Sequence, residues 1–171
     1  FVPSYYQEAG LIATQARQQG MRQTLIGGDG WDSPRLIEIA GNAVEDCLFL
    51  THSCNTAEEP VMQEFVKAYQ AKYAVEPDAL AALGYDALCI VVDAIRRAGV
   101  AEPKPIRDAL AQTKDFPGAT GTITIDEQRN AKKAAYALVI KDGKAIYFKK
   151  IEPEEAAQTP AAGSKGAGGG Q

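Results

Sequence analysis

The sequence predicts an α/β fold built on a parallel sheet. Three observations carry that expectation. Short apolar segments of strand length occur at residues 1–6, 24–29 and 44–51. The two segments between them space their apolar residues at helical intervals, and capping residues bracket them. Strands alternating with single helices form parallel sheets with right-handed crossovers.

"FVPSYY" reads as the end of a first strand. In "QEAGLIATQARQQG", Ala9, Ile12, Ala13, Ala16 and Gly20 recur on one helical face, with Glu8 near the start and Gly20 as the stop. "TLIGGD" is a second short buried strand. In "SPRLIEIAG", Ser33 caps a helix, Pro34 suits its first position and Gly41 closes it. "VEDCLFLT" supplies the third strand.

Beyond His52 the rhythm changes. "EEPVMQEFVKAYQAKY" predicts an amphipathic helix with Val61, Met62, Phe65, Val66 and Tyr69 inward. The helix expected over 79–98 is apolar nearly all round, which marks deep burial. "PKPIRDALAQT" is a third helix, with Ile106, Ala109 and Leu110 on one side. No strand separates these three helices. "GTITID" and a hairpin with an Asp142-Gly143 turn then follow. An Ala/Gly-rich tail over 152–171 is expected to be disordered.

The helix over 79–98 poses a physical problem, because two small helices cannot surround it and the early strands already have their crossover helices. A second sheet is therefore expected, one that the sequence does not contain, and the first strand begins abruptly at Phe1-Val2. The chain reads as the C-terminal portion of a larger two-lobed α/β protein. The alternative is a compact single domain whose hairpin covers those helices.

Bulk properties exclude several functions. With 46% hydrophobic and 23% charged residues, a net charge of −4 and no basic run, the chain offers no nucleic-acid surface. Asp86 and Asp93 interrupt the longest candidate for a membrane span. A signal peptide is missing and the first residue is Phe, so the chain is expected to be processed or cut. Cys47, Cys54 and Cys89 form no CxxC pair, and with a single His no metal site is expected. Their odd count argues for ordinary thiols, although a disulfide stays open. "GGDG" is not the GxGxxG fingerprint, so no dinucleotide or other cofactor is expected. No Ser/His/Asp or Cys/His set assembles around His52, so the chain does not read as an enzyme.

In parallel α/β sheets, ligands bind in the crevice beyond the carboxyl ends of the strands. The first strand ends at Tyr5-Tyr6 and the second at Gly28-Asp29, so Tyr5 and Asp29 are expected to converge there. Gly27, Gly28 and Gly30 allow close approach. A carboxylate beside phenols and aromatic faces suits an ammonium group. Each residue also has a plainer role: Asp29 in an Asp-Gly turn, Tyr6 in packing, Trp31 as the anchor of the loop.

Four stretches taken together resemble a known family: "YYQEAGLIATQARQQGM", "LIGGDGWDSPRLIEIAGNAVEDCLF", "QEFVKAYQAKYAVEPDALAALGYDA" and "IRDALAQTKDFPGATGTITIDE". They are similar to the periplasmic branched-chain amino acid (leucine/isoleucine/valine-type) binding proteins of ABC importers, over residues 1 to about 151 in order. The resemblance implies a type I periplasmic-binding-protein fold, two Rossmann-like lobes joined by three crossovers that close over an amino acid. It implies that 1–51 belong to the C-terminal lobe, 52–118 are helices of the N-terminal lobe, and 119–151 return to the C-terminal lobe. Asp29 matches the acid that grips the ligand's α-ammonium, Tyr5 the tyrosine lining the cleft. Ala79 falls where some relatives place an aromatic over the ligand side chain. Tyr6 and Trp31 are weaker candidates. The groups for the ligand's α-carboxylate would lie on the missing lobe, on this or a companion chain. A membrane permease is the implied partner, and a periplasmic or extracellular location, with or without lipid attachment, the implied compartment. A ligand-sensing receptor of the same fold and an α/β enzyme acting on a small ligand are the rival readings.

Overall fold

The computed structural model describes residues 1–56 and 59–153. Along the chain run α1 (Tyr6–Gln18), β1 (Ile26–Gly27), a 3-10 turn (Asp29–Trp31), α2 (Pro34–Ala40), a second 3-10 turn (Gly41–Val44) and β2 (Leu48–Thr51). Next come the helices α3 (Pro60–Tyr73), α4 (Ala79–Ala98) and α5 (Pro103–Leu110). The strands β3 (Phe116–Gly118), β4 (Gly121–Ile125), β5 (Ala131–Lys132), β6 (Ala135–Lys141) and β7 (Lys144–Ile151) follow. The expected tail lies, from residue 154 on, outside the described residues.

The main sheet has the order β1-β2-β6-β7. β1 and β2 are parallel, with Ile26 opposite Leu48, whereas β6 joins β2 antiparallel and β7 lies outside β6. The sheet is thus mixed rather than parallel throughout. The hairpin turns at Asp142 and Gly143, whose φ values of 50° and 67° give the two left-handed residues that a type I′ turn requires. α2 forms as its caps predict: Ser33 Oγ accepts from the Arg35 N–H, and Gly41 leaves the helix at φ 50°.

The first strand is shorter than expected. Only Val2 bridges to the sheet, parallel to Gly27, and donates its N–H to the Ile26 carbonyl at 2.8 Å. Pro3 has no N–H to continue the ladder, and the Val2 carbonyl accepts from both the Trp31 indole and the Ser4 N–H. α1 then begins at Tyr6. Its inward face is Ala9, Gly10 and Ala13, while Ile12 is exposed. A Cβ at Gly10 would lie 2.8 Å from Ile39 of α2, so this glycine lets the two helices close together; Ala9 and Ala13 of the expected face stay inward while Ile12 is left in solvent.

Buried residues form two clusters. One joins Trp31, Leu36, Val44, Phe49, Leu138 and Ile140 under the main sheet. The other joins Met62, Phe65, Ala82 and Ala119, with Val61, Val66 and Tyr69 packed against it as the pattern of α3 predicts. α4 departs from expectation. It buries Ala79, Ala82, Ile90 and Ala94, yet Leu80 is 75% and Leu88 65% exposed, with Tyr85, Val91 and Val92 also open to solvent. Asp86 on the same helix is buried, its carboxylate accepting from the N–H groups of Ala119 and Thr120 at 2.6 and 2.8 Å and from the Thr120 hydroxyl at 2.7 Å. That anion gathers the β3–β4 turn onto the helix. At the start of α3, Glu59 accepts from the Tyr136 hydroxyl at 2.9 Å and pairs with Lys150 at 3.1 Å, tying this helix to the hairpin.

Cys47, Cys54 and Cys89 are free thiols. No helix among the described residues is long and apolar enough to cross a membrane. No cluster of three or more His, Cys, Asp or Glu that could hold a metal ion occurs among the described residues. β7 is the outer strand of the main sheet and is exposed along nearly all its length, with Lys144, Lys149 and Lys150 set around Ile146, Tyr147 and Phe148.

Candidate functional site

The loop after β1 is shaped by its glycines and tryptophan. A Cβ at Gly27 would lie 2.2–2.4 Å from three ring atoms of Trp31, so the absence of a side chain there gives the indole its place. Trp31 is fully buried, and its Nε1 donates to the Val2 carbonyl at 3.1 Å. Gly30 presses against the segment before α1: a Cβ there would lie 2.9 Å from the Ser4 carbonyl and 3.2 Å from Tyr5 Cα. The 3-10 turn is thereby held against the N-terminal segment.

The result is a hollow of about 260 Å³ whose walls include Pro3, Ser4, Tyr5, Gly28, Asp29 and Gly30. Tyr5, 72% exposed, and Asp29, with 67% of its side chain exposed, share this hollow. The Ser4 hydroxyl is buried beside it with no hydrogen-bond partner among the described residues. The other three candidates lie elsewhere. Trp31 belongs to the core beneath the loop, and Tyr6, the first residue of α1, packs against the same core. Ala79 is buried at the first position of α4, behind Asp78, whose side chain caps the helix by accepting from the Ala81 N–H at 2.8 Å. The turn before it, Glu76 to Asp78, borders a larger hollow of about 510 Å³ with Asp32, Asn55 and Phe49.

Asp29 has a partner that sequence reasoning missed. His52 Nε2 lies 3.1 Å from Asp29 Oδ2. His52 follows directly on β2, whose C-terminal end opens on the same side as that of its parallel neighbour β1. The strand-tip argument that located Asp29 therefore extends to His52. Two bonds fix this segment. The Thr51 hydroxyl donates to Asp32, and Lys133 Nζ donates to the His52 carbonyl at 2.7 Å. Burial pushes the Asp32 carboxyl above its ordinary value; the Thr51 hydroxyl works against that, while the charges of Asp78 and Asp29 add to it.

Burial also lowers Lys133 to about 8, only partly opposed by the Asp86 charge. Folding therefore disfavours the charged lysine, a penalty fully present below about 8 and relieved as pH rises towards the ordinary lysine value. The stability of the wild type relative to Lys133→Met is expected to increase between those limits. Urea unfolding of both proteins across that window checks this, and a constant difference would contradict it.

An α/β sheet whose strand tips bring an acid and a phenol into one hollow has its polar groups where folds of this class hold small ligands. The chain belongs to the periplasmic binding protein family, whose model matches residues 4–145. It is 30% identical, over 77% of its length and 35% of the relative's, to a Leu/Ile/Val-binding protein homolog of Brucella abortus. Among solved structures, it is similar to the leucine binding protein LivK of Thermotoga maritima, with 44% identity and a TM-score of 0.83 over 88% of this chain and 43% of that one. It is also similar to the branched-chain amino acid transporter substrate binding protein LivJ of Streptococcus pneumoniae, solved with isoleucine, with 36% identity and a TM-score of 0.80 over 89% of this chain and 44% of that one. The resemblance to branched-chain amino acid binding proteins and the type I α/β fold are thereby established. The chain spans less than half the length of each of these proteins.

Proposed function

We propose that this chain is the C-terminal portion of a two-lobed solute-binding protein that delivers an amino acid, branched-chain or otherwise hydrophobic, to an ABC importer. The observation that carries this reading is the shared hollow of Tyr5 and Asp29 in a chain of this family. Asp29 would pair with the α-ammonium and Tyr5 would form the cleft wall. No bond is made or broken, so the protein is a carrier and not an enzyme. Residues 1–51 and the β6–β7 hairpin would build one lobe, and 52–118 with the small β3-β4-β5 sheet gathered on α4 would contribute to the other. The open apolar face of α4, with Leu80, Leu88 and Val91, supports this division, since it offers a surface for the sheet of the second lobe. Hinge closure would bury the ligand and present a surface to a membrane permease in the periplasm or outside the cell.

One lobe's contacts cannot hold the ligand tightly. L-Leucine is expected to bind this chain only in the millimolar range, about −4 kcal/mol. The Gly28 and Gly30 amide signals should follow the titration, and Asp29→Asn should abolish it. Calorimetry giving micromolar affinity for this chain would contradict the divided site, and an unaltered response in Asp29→Asn would remove the acid from it.

A further inference from the structure

We infer that His52 is a positioning residue for Asp29: its imidazole orients the carboxylate through one oxygen and leaves the other free for the ligand's ammonium. The inference rests on the reading of Asp29 as the ammonium site. Asp29 stands between Gly28 and Gly30 with most of its side chain in solvent, so little else restrains its rotation. Among the described residues, the hydrogen bond on its carboxylate comes from His52, at Oδ2 and 3.1 Å. A carboxylate has about four acceptor sites, so a single N–H bond leaves room for an ammonium. The histidine is itself well held, its carbonyl bonded to Lys133 Nζ at 2.7 Å and the preceding Thr51 hydroxyl bonded to Asp32. A carboxylate oriented in advance loses less rotational freedom when ligand arrives.

Protonation reverses the effect. Neutral His52 donates Nε2–H without adding charge. At acid pH histidine takes up a proton, and the imidazolium then compensates Asp29 and repels an ammonium at the same carboxylate. The charged groups placed near the ring are Asp29 on the 3-10 turn and Asp32 just beyond it, while Lys133 meets the His52 backbone carbonyl. Ligand release is thus coupled to acid through one side chain.

Because His52 is the only histidine, its ring signal in NMR is unambiguous. The ring is 41% exposed, which allows its replacement without loss of the fold. The test is a titration of this chain with L-leucine to tens of millimolar, in wild type, His52→Gln, His52→Ala and Asp29→Asn. In the wild type, the His52 ring and the Gly28 and Gly30 amides should respond together, with apparent affinity about fivefold weaker at acid than at neutral pH. His52→Gln, which can still donate a hydrogen bond, should keep neutral-pH affinity within about twofold and lose the pH dependence; His52→Ala should bind about threefold or more weakly. Amides that respond while the ring stays still, or a His52→Ala protein matching wild type in affinity and pH profile, would overturn the inference and leave the Asp29 reading standing. A wild type without any response, or an Asp29→Asn protein that responds normally, would overturn both.

Discussion

Asp86→Ala is expected to lower the unfolding free energy by about 3–5 kcal/mol, because it leaves buried donors without their acceptor. Two backbone N–H groups and the Thr120 hydroxyl lose their partner together, and water has no ready access to replace it. The β3–β4 turn would come away from α4. Gly118 makes the arrangement stricter still, since a Cβ there would lie 2.7 Å from Asp86 Oδ2. Asp86→Asn keeps the volume and one acceptor oxygen, so its loss should be smaller, about 1–3 kcal/mol. Urea unfolding followed by circular dichroism measures both; a cost below about 1 kcal/mol for the alanine variant would show that the turn is held by other contacts.

Gly27→Ala should be comparably damaging, by about 3 kcal/mol or more, since the added methyl and the Trp31 indole would claim the same volume. The ring would have to leave the core, breaking its bond to the Val2 carbonyl and shifting the turn that carries Asp29. Trp31 is the only tryptophan, so its fluorescence reports the event directly. The emission maximum of the variant should move to the red as the indole meets water. Unchanged emission together with unchanged stability would mean that the backbone yields instead.

Elements with strong local chemistry were legible from the residues alone. α2 was announced by Ser33, Pro34 and Gly41, the hairpin by Asp142-Gly143, and the inward face of α3 by its spacing. What failed depends on tertiary contacts. The strand expected over 1–6 contracts to Val2, whose carbonyl accepts from a distant indole and from the Ser4 N–H two residues on. α1 keeps Ala9 and Ala13 inward but leaves Ile12 in solvent, because it is Gly10 that meets Ile39 of α2. β3 and β5 are brief pairings beside β4, and β3 contains Pro117; neither carries an alternating pattern of its own. In the site, the strand-tip rule brought Tyr5 and Asp29 together, whereas Trp31 lies in the core and Tyr6 packs half-buried against it. His52 was passed over as an isolated imidazole, although it follows a strand parallel to the one that presents Asp29.

The outer strand of the main sheet has a colloidal consequence. Backbone groups facing away from β6 are an open template onto which a like strand could zip, and Ile146, Tyr147 and Phe148 would make such a union adhesive. Lys144 and Lys149 work against it, since stacking a second copy crowds ammonium groups that water otherwise solvates. Cation density along this margin therefore guards the chain against fibrillar self-assembly.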